Sequence, residues 1–287
     1  MGRLEALKTS STQAPAAITH GETASLKPCD EIAGLSGDPN FMTSLARGLA
    51  VIQAFSEPQQ RLTISHLSAK TGLSRAAVRR CLYTLTKLGL TGCDDASHFY
   101  LRPRVLALGY SYISSTPLAT AAQPVLEHIS HLLHESCSIA TLDRLDIVYI
   151  ARFNVTRIMS IDLGIGSRLP AFCTSMGRVL LANLPDSDIE CYLSRVQFTR
   201  YTDRTIIDAG KLREVLRGIR RAGFAVVDQE LELGLRSMAV PIRSPEGKVA
   251  AAVNIGAHAQ RVSLPEMQAR FLPHLRAAAQ ELGMLLR

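Results

Sequence analysis

Residues 64–88 read ISHLSAKTGLSRAAVRRCLYTLTKL, and their spacing predicts two short helices joined by a tight turn. Ser65 is placed to cap the first helix, its hydroxyl accepting an orphan N–H of the first turn. Leu67 faces inward, and Gly72 supplies the left-handed residue that ends that helix. Leu73 anchors the turn and Ser74 caps the second helix. Val78, Leu82, Leu85 and Leu88 recur at helical spacing and form one apolar face. Arg75, Arg79 and Arg80 lie off that face, close to the helix start. A helix-turn-helix needs this arrangement, an apolar back with donors at the N-terminal end to reach base edges and phosphates. The candidate DNA-contacting positions are Ser74, Arg75, Ala76, Ala77, Arg79, Arg80, Tyr83 and Lys87. The plainer alternative is an αα-hairpin with a solvated basic face.

The flanking sequence favours the first reading. From Ser44, the residues Leu45, Leu49 and Ile52 keep helical spacing as far as Phe55, and Pro58 follows the stop. Arg61–Thr63 suits a short strand. After Gly89, the runs Leu90–Gly92 and His98–Leu101 flank a turn at Asp94–Ser97, which makes a wing behind the second helix. A winged helix-turn-helix is therefore expected over residues 41–102. Between Phe41 and Arg104 nine bases face three acids, so +6 of the chain's net +7 is concentrated there. That footprint suits a polyanion, double-stranded operator DNA above all.

Pro103 starts a linker, residues 103–117, whose helix to Ser114 carries the stripe Val105, Leu108 and Tyr112. The stripe either joins two protomers or packs on its own domain. Residues 118–287 alternate short β-rich runs with helices. Strands are expected at Ser138–Leu142, Ile147–Arg152, Arg157–Leu163, Ala225–Asp228, Arg236–Ile242 and Lys248–Ile255. Helices are expected at Ala119–His134, Ser175–Asn183, Asp186–Ser194, Lys211–Ala222 and Leu264–Leu286. The fold class is α+β, the second domain an α/β unit with a partly antiparallel sheet and helices on its faces. Residues 1–40, rich in Ser, Thr, Ala, Pro and Gly, read as a disordered arm.

At 287 residues the chain can build two cores. No apolar run approaches the ~20 residues that span a bilayer. The opening MGRLEALKTSSTQAPAAITH lacks the apolar core of a secretion signal, so a cytoplasmic location without membrane contact is expected. The six cysteines are scattered with no CxxC pair, which argues against a disulfide framework or a structural zinc site. No cofactor is expected.

Five stretches carry a family resemblance: DPNFMTSLARGLAVIQAF (38–55), LSRAAVRRCLYTLTKLG (73–89), SSTPLA (114–119), RLPAFCTSMGRVLLA (168–182) and VVDQELELGLRSMAVPI (226–242). On these the chain resembles the IclR family of bacterial transcription regulators. It is most similar to the branch governing aromatic-acid catabolism by the β-ketoadipate route, the PcaR, PcaU and PobR type. The resemblance covers residues 38–287. It implies a GAF-like effector-binding domain and a dimer or dimer of dimers. It also implies control by a small aromatic or dicarboxylic acid, and points to an activator, with RNA polymerase then a partner.

RLPAFCTSMGRVLLA closes a loop and opens a helix, whose start attracts carboxylates through unpaired N–H groups and a partial positive charge. Ser175, Met176 and Gly177 would present amides, Thr174 or Ser175 a hydroxyl, and Arg178 a full charge. The resemblance adds Asp228, Glu230, Arg236, Ser237 and Asn254 as pocket positions. Relatives that bind small keto acids tend to carry Cys at the position of Ser237, so their ligand does not transfer. A ligand with a second acid or phenol group needs another anchor, for which Arg152, Arg157, Arg168 and Arg178 are candidates.

Rival readings are weaker. Cys173-Thr174-Ser175 could place a nucleophile at a helix start, but no GxSxG elbow is present and no base can be assigned. Gly164-Ile165-Gly166 lacks the third glycine of a nucleotide loop. His128, His131 and His134 recur every three residues, which suits a solvated face better than a metal site. The alternative function is a metal-responsive or glyoxylate- or pyruvate-responsive repressor of the same fold.

Overall fold

A computed structural model describes residues 28–35, 37–55, 61–155 and 163–286. The chain runs through α1 (Pro28–Gly34), α2 (Thr43–Gln53), α3 (Ile64–Thr71), α4 (Arg75–Lys87), β1 (Thr91–Cys93) and β2 (Phe99–Leu101). Val51, Leu62, Leu67, Leu73, Val78, Leu82 and Leu85 form the core of this first unit. Thr63, rather than Ser65, caps α3: its hydroxyl accepts from the His66 amide at 3.2 Å. The helix simply begins two residues earlier than a Ser65 cap would place it. Gly72 is left-handed at φ +74°, and Ser74 caps α4 by accepting from the Ala77 amide. Leu88 departs from the expected apolar face. It lies one residue past the helix and is 53 % exposed.

β1 and β2 pair antiparallel, Thr91 opposite Leu101, and Leu62 bridges to Phe99, so the wing is stitched to the segment before α3, where the strand expected at Arg61–Thr63 is reduced to this single bridge. Asp94 organises its tip, accepting from the Ala96 and His98 amides and from Arg61 Nη1 at 2.7 Å. Within residues 1–40, expected to lack regular structure, Pro28–Gly34 is helical, with Ile32 buried. Proline at the first turn and the acids Asp30 and Glu31 near it favour a helix start.

A 3₁₀ turn at Pro103–Val105 leads into α5 (Leu106–Ser115), which has no buried residue, and then α6 (Pro117–Leu133). The second domain follows with β3 (Ser136–Asp143), β4 (Asp146–Phe153), β5 (Arg168–Pro170), α7 (Ser175–Ala182), α8 (Asp186–Arg195), α9 (Ala209–Ala222), β6 (Ala225–Asp228), β7 (Leu235–Arg243) and β8 (Val249–His258). The expected strand at Arg157–Leu163 lies largely outside the described residues, while β5 was not foreseen. The sheet order is β5-β4-β3-β8-β7-β6. Every pairing is antiparallel rather than partly so, because hairpins join β3 to β4 and carry β6 through β7 to β8.

The sheet is covered on both faces. One face buries Met238, Val240, Ile242, Val253 and Ile255 against α6 and the C-terminal helices. The other buries Ala140, Tyr149, Ala239 and Ala252 against α7, α8 and α9. The last helix starts as α10 (Leu264–Glu266), passes through a π turn at Met267–Phe271 and continues as α11 (Leu272–Gly283). Pro273 cannot donate a backbone bond, and the π turn absorbs that defect in what was read as one uniform helix.

Candidate functional site

The first candidate surface is α4. Ser74, Arg75, Ala76, Arg79, Arg80, Tyr83 and Lys87 are all exposed, whereas Ala77 is half-buried against the core. Lys87 stacks its ammonium over the Tyr83 ring at 5.5 Å. Lys70, by contrast, is committed to the Ala54 carbonyl that ends α2. Arg61 lies over Tyr100 while holding Asp94, so the wing is braced from the side. His98 and Ala96 amides and Arg61 together keep the Asp94 carboxyl below its ordinary range.

The second candidate surface lies where α7 meets the sheet. α7 packs on β7, β8 and β3, and its start is pressed onto the 3₁₀ turn Ala171–Cys173. A Cβ on Gly177 would stand 2.2 Å from the Ala171 carbonyl oxygen, so only glycine allows that approach. Thr174 caps the helix: its hydroxyl accepts from the Gly177 amide at 3.2 Å and donates to Pro170 O at 3.0 Å. The Ser175 and Met176 amides are left without acceptors among the described residues.

Two polar atoms beside this helix start are buried with no partner among the described residues, Ser175 Oγ and Asn254 Oδ1. Asn254 stands on β8 between Ser138 and Ala239, on the face that α7 covers. Ser237, two residues before Ala239, shares that face, as does the buried Ser138, which accepts from Arg152 Nη1 at 3.3 Å. Arg152 also reaches Asn154 and lies 5.7 Å from the Tyr149 ring. Unpaired buried polar groups cost about 1–3 kcal/mol each. One on α7 and one on the sheet face that α7 covers, with unpaired amides at the helix start, make this the candidate site for a polar ligand.

Several expected members are engaged elsewhere. Arg178 is 2 % exposed and spends its guanidinium on both Glu230 oxygens, at 2.6 and 2.7 Å, and on Phe172 O at 2.7 Å. Glu230 further accepts from the Ile206 amide, so this pair is an internal brace with no net charge to offer. Asp228 and Arg236 are register neighbours on the opposite face of the sheet, with Met238. Arg236 donates to Asp228 at 2.8 Å and to Val262 O at 2.5 Å. Arg168 is held by Asp143 and Asp146. Met176 contributes its side chain to the core and only its amide to the site. Arg157 lies outside the described residues. Ser138 was not foreseen. Its signal is the Ser136-Cys137-Ser138 alternation, polar at strand period on a face otherwise lined by Ala and Tyr.

Burial pushes the Cys173 thiol up to about 12, the reverse of the activated thiolate that a nucleophile requires. His131 is exposed beside Glu127 and the Phe153 ring, and among the described residues no cluster of His, Cys, Asp or Glu is placed to hold a metal. An open groove of about 420 Å³ between Val240–Pro245 and Arg276–Met284 flanks the far side of the sheet, away from Ser175. Among the described residues no helix is long and apolar enough to cross a membrane.

The IclR helix-turn-helix domain matches residues 44–92, and the bacterial transcriptional regulator IclR C-terminal domain matches residues 110–284. The chain is 50% identical to the Pca regulon regulatory protein of Pseudomonas putida, over 93% of this chain and 92% of that one. It is 34% identical to the p-hydroxybenzoate hydroxylase transcriptional activator of Acinetobacter baylyi, over 86% and 93% respectively. A crystal structure of an IclR homolog from Microbacterium hydrocarbonoxydans complexed with 4-hydroxybenzoate superimposes with a TM-score of 0.73 at 26% identity, covering 85% of this chain and 99% of that one. These relatives are regulators, not enzymes. The winged reader, the sheet domain and these matches together make the chain a member of the IclR family of DNA-binding transcriptional regulators.

Proposed function

We propose that this regulator senses a small aromatic or dicarboxylic acid of the protocatechuate and β-ketoadipate pathway at the start of α7. The observation carrying this is the pair of buried atoms without partners among the described residues, Ser175 Oγ and Asn254 Oδ1, with the open amides of Ser175 and Met176. A carboxylate takes the amides and the Ser175 hydroxyl. The Asn254 amide and Ser237 meet the body of the ligand, and Arg152 stands at the sheet's edge as the second anchor. Thr174 and Gly177 shape the helix start without touching the acid. The 4-hydroxybenzoate complex of one relative and the name of another, the p-hydroxybenzoate hydroxylase transcriptional activator, support this class of ligand.

On the DNA side, Arg75, Arg79 and Arg80 read or grip the operator, with Ser74, Ala76, Tyr83 and Lys87 around them. α5, which buries none of its residues, and the exposed Leu45 and Leu49 of α2 are covered by a second copy, giving a homodimer or dimer of dimers. The likeness to the Acinetobacter activator supports activation, with RNA polymerase as a partner. Calorimetry with protocatechuate, 4-hydroxybenzoate, β-ketoadipate and cis,cis-muconate tests the ligand reading. One of these binds wild-type protein and binds the Ser175→Ala and Asn254→Ala proteins more weakly. Binding of pyruvate or glyoxylate alone overturns it.

A further inference from the structure

α1 precedes both family domains, which begin at residues 44 and 110, and neither DNA reading nor acid sensing accounts for it. Its contacts divide between two domains. It packs along α2, with Ile32 buried and Cys29 against the core of the DNA reader. On its other side, Glu31 receives Arg144, whose Nη1 stands 3.1 and 3.0 Å from the two carboxylate oxygens. Arg144 belongs to the sensing domain, at the tip of the β3–β4 turn, where it adopts φ +57°.

That turn is held from below. Arg168 binds Asp143 and Asp146, the residues at its two ends. The carbonyl of Leu145 accepts from the Ala171 amide at 3.1 Å. Ala171 is the residue against which Gly177 of α7 is pressed, and Pro170 beside it accepts from the Thr174 cap. The start of α7 is thus joined to the residue that grips α1 by one hydrogen bond and a short run of chain. α5, the covalent link between the domains, buries none of its residues and cannot alone fix how reader and sensor stand to each other. A second tether at Glu31 supplies what a single link lacks, a defined orientation.

We propose that α1 is a clasp between reader and sensor, closed by Glu31–Arg144, and that acid binding at α7 alters operator affinity partly through it. The second half rests on the acid-sensing reading above, and the first does not. A ligand changes DNA affinity only through unequal affinity for two arrangements of the protein, and the clasp is a contact that two arrangements can make or lose.

The test uses full-length protein and a DNA fragment that it selects from a random pool. Operator affinity is measured by fluorescence anisotropy at fixed low salt, without acid, for wild type, Glu31→Arg, Arg144→Glu and the double exchange. Each single variant is expected to shift the dissociation constant about two- to fivefold, the range of an exposed pair. Both shifts have the same sign, and the double exchange returns to wild type. Direct charge effects on DNA are distinguishable, because the two single variants change net charge in opposite directions. Hydrogen exchange over residues 28–34 rises in each single variant and recovers in the double. Single variants with unaltered affinity and exchange, or shifts of opposite sign that add in the double, overturn the clasp. The same titrations with saturating β-ketoadipate or 4-hydroxybenzoate should show a smaller acid response in the single variants, restored in the double. If wild-type protein binds none of the four candidate acids, the acid-sensing reading fails, and the acid-free exchange alone decides the clasp.

Discussion

Arg178 and Glu230 meet through two parallel hydrogen bonds of 2.6 and 2.7 Å, both side chains almost wholly withdrawn from solvent. The pair ties α7 to the loop after β6. Removing one member strands the other as a buried, unpaired charge. Arg178→Met or Glu230→Gln should each cost about 3–5 kcal/mol of stability, read by urea unfolding, and the joint replacement by apolar residues should cost less than their sum. Additive losses would mean that the two residues act separately.

On α4, the exposed arginines predict a split between specific and general contacts. Arg75→Ala or Arg79→Ala should lower operator affinity by about 1–3 kcal/mol and relax the preferred sequence. Lys87→Ala should weaken all DNA evenly and reduce the salt slope by about 1. Binding to operator and scrambled duplexes at several salt concentrations separates the two.

Ser175→Ala separates sensing from folding. Its hydroxyl is buried without a partner among the described residues, so removing it should leave the melting temperature of the acid-free protein unchanged or slightly higher. Acid affinity should fall by about 1 kcal/mol, the net worth of one hydrogen bond. A marked loss of stability without acid would show that the hydroxyl has a structural partner.

Acid sensitivity should be visible at Asp228. Burial alone would raise its carboxyl, but Arg236 and Arg204 outweigh that and hold it below the usual carboxylate range. A depressed folded value means stability that is present above the unfolded-state value and lost as pH falls through the folded one. Asp228→Asn should therefore flatten the acid limb of a stability–pH profile. A parallel profile would show that other carboxylates dominate it.

Leu106, Tyr110 and Tyr112 on α5 are 74, 68 and 50 % exposed, which a short helix does not sustain alone. Leu106→Asp should yield monomers in sedimentation and abolish footprints on half-sites spaced about 10 bp or a multiple apart. A stable wild-type monomer that footprints a lone half-site would contradict the dimer.

The reader was legible because its signals are local. Gly72, Ser74 and the Val78–Leu82–Leu85 face act within a few residues, and each sits where the spacing put it. Thr63 displaced Ser65 as a cap by two positions, a margin within which helix starts are hard to fix. The candidate site was legible in part. Helix-start chemistry pointed to Ser175, and the resemblance to Asn254 and Ser237. Arg178, Asp228 and Arg236 look equally suitable in sequence, because nothing local shows that Glu230 neutralises the first or that strand alternation turns the others to the opposite face. Arg144 carries no signal at all, since its partner Glu31 is distant in sequence.

The sheet order has a consequence for how the chain assembles. β3 opens the second domain, yet its partners are β4 and β8, with Ser136 opposite Gly256 across nearly the whole domain. The centre of the sheet cannot close until the last strand has left the ribosome, and non-local pairing of this kind is slow. The winged unit needs only near neighbours and can be complete much earlier. During each round of synthesis there is an interval in which a finished DNA reader is attached to an open, apolar β3–β4 hairpin. Defects that delay β8, such as bulky residues at Ala251 or Ala252, should prolong that interval and appear as aggregation in the cell rather than as altered operator recognition.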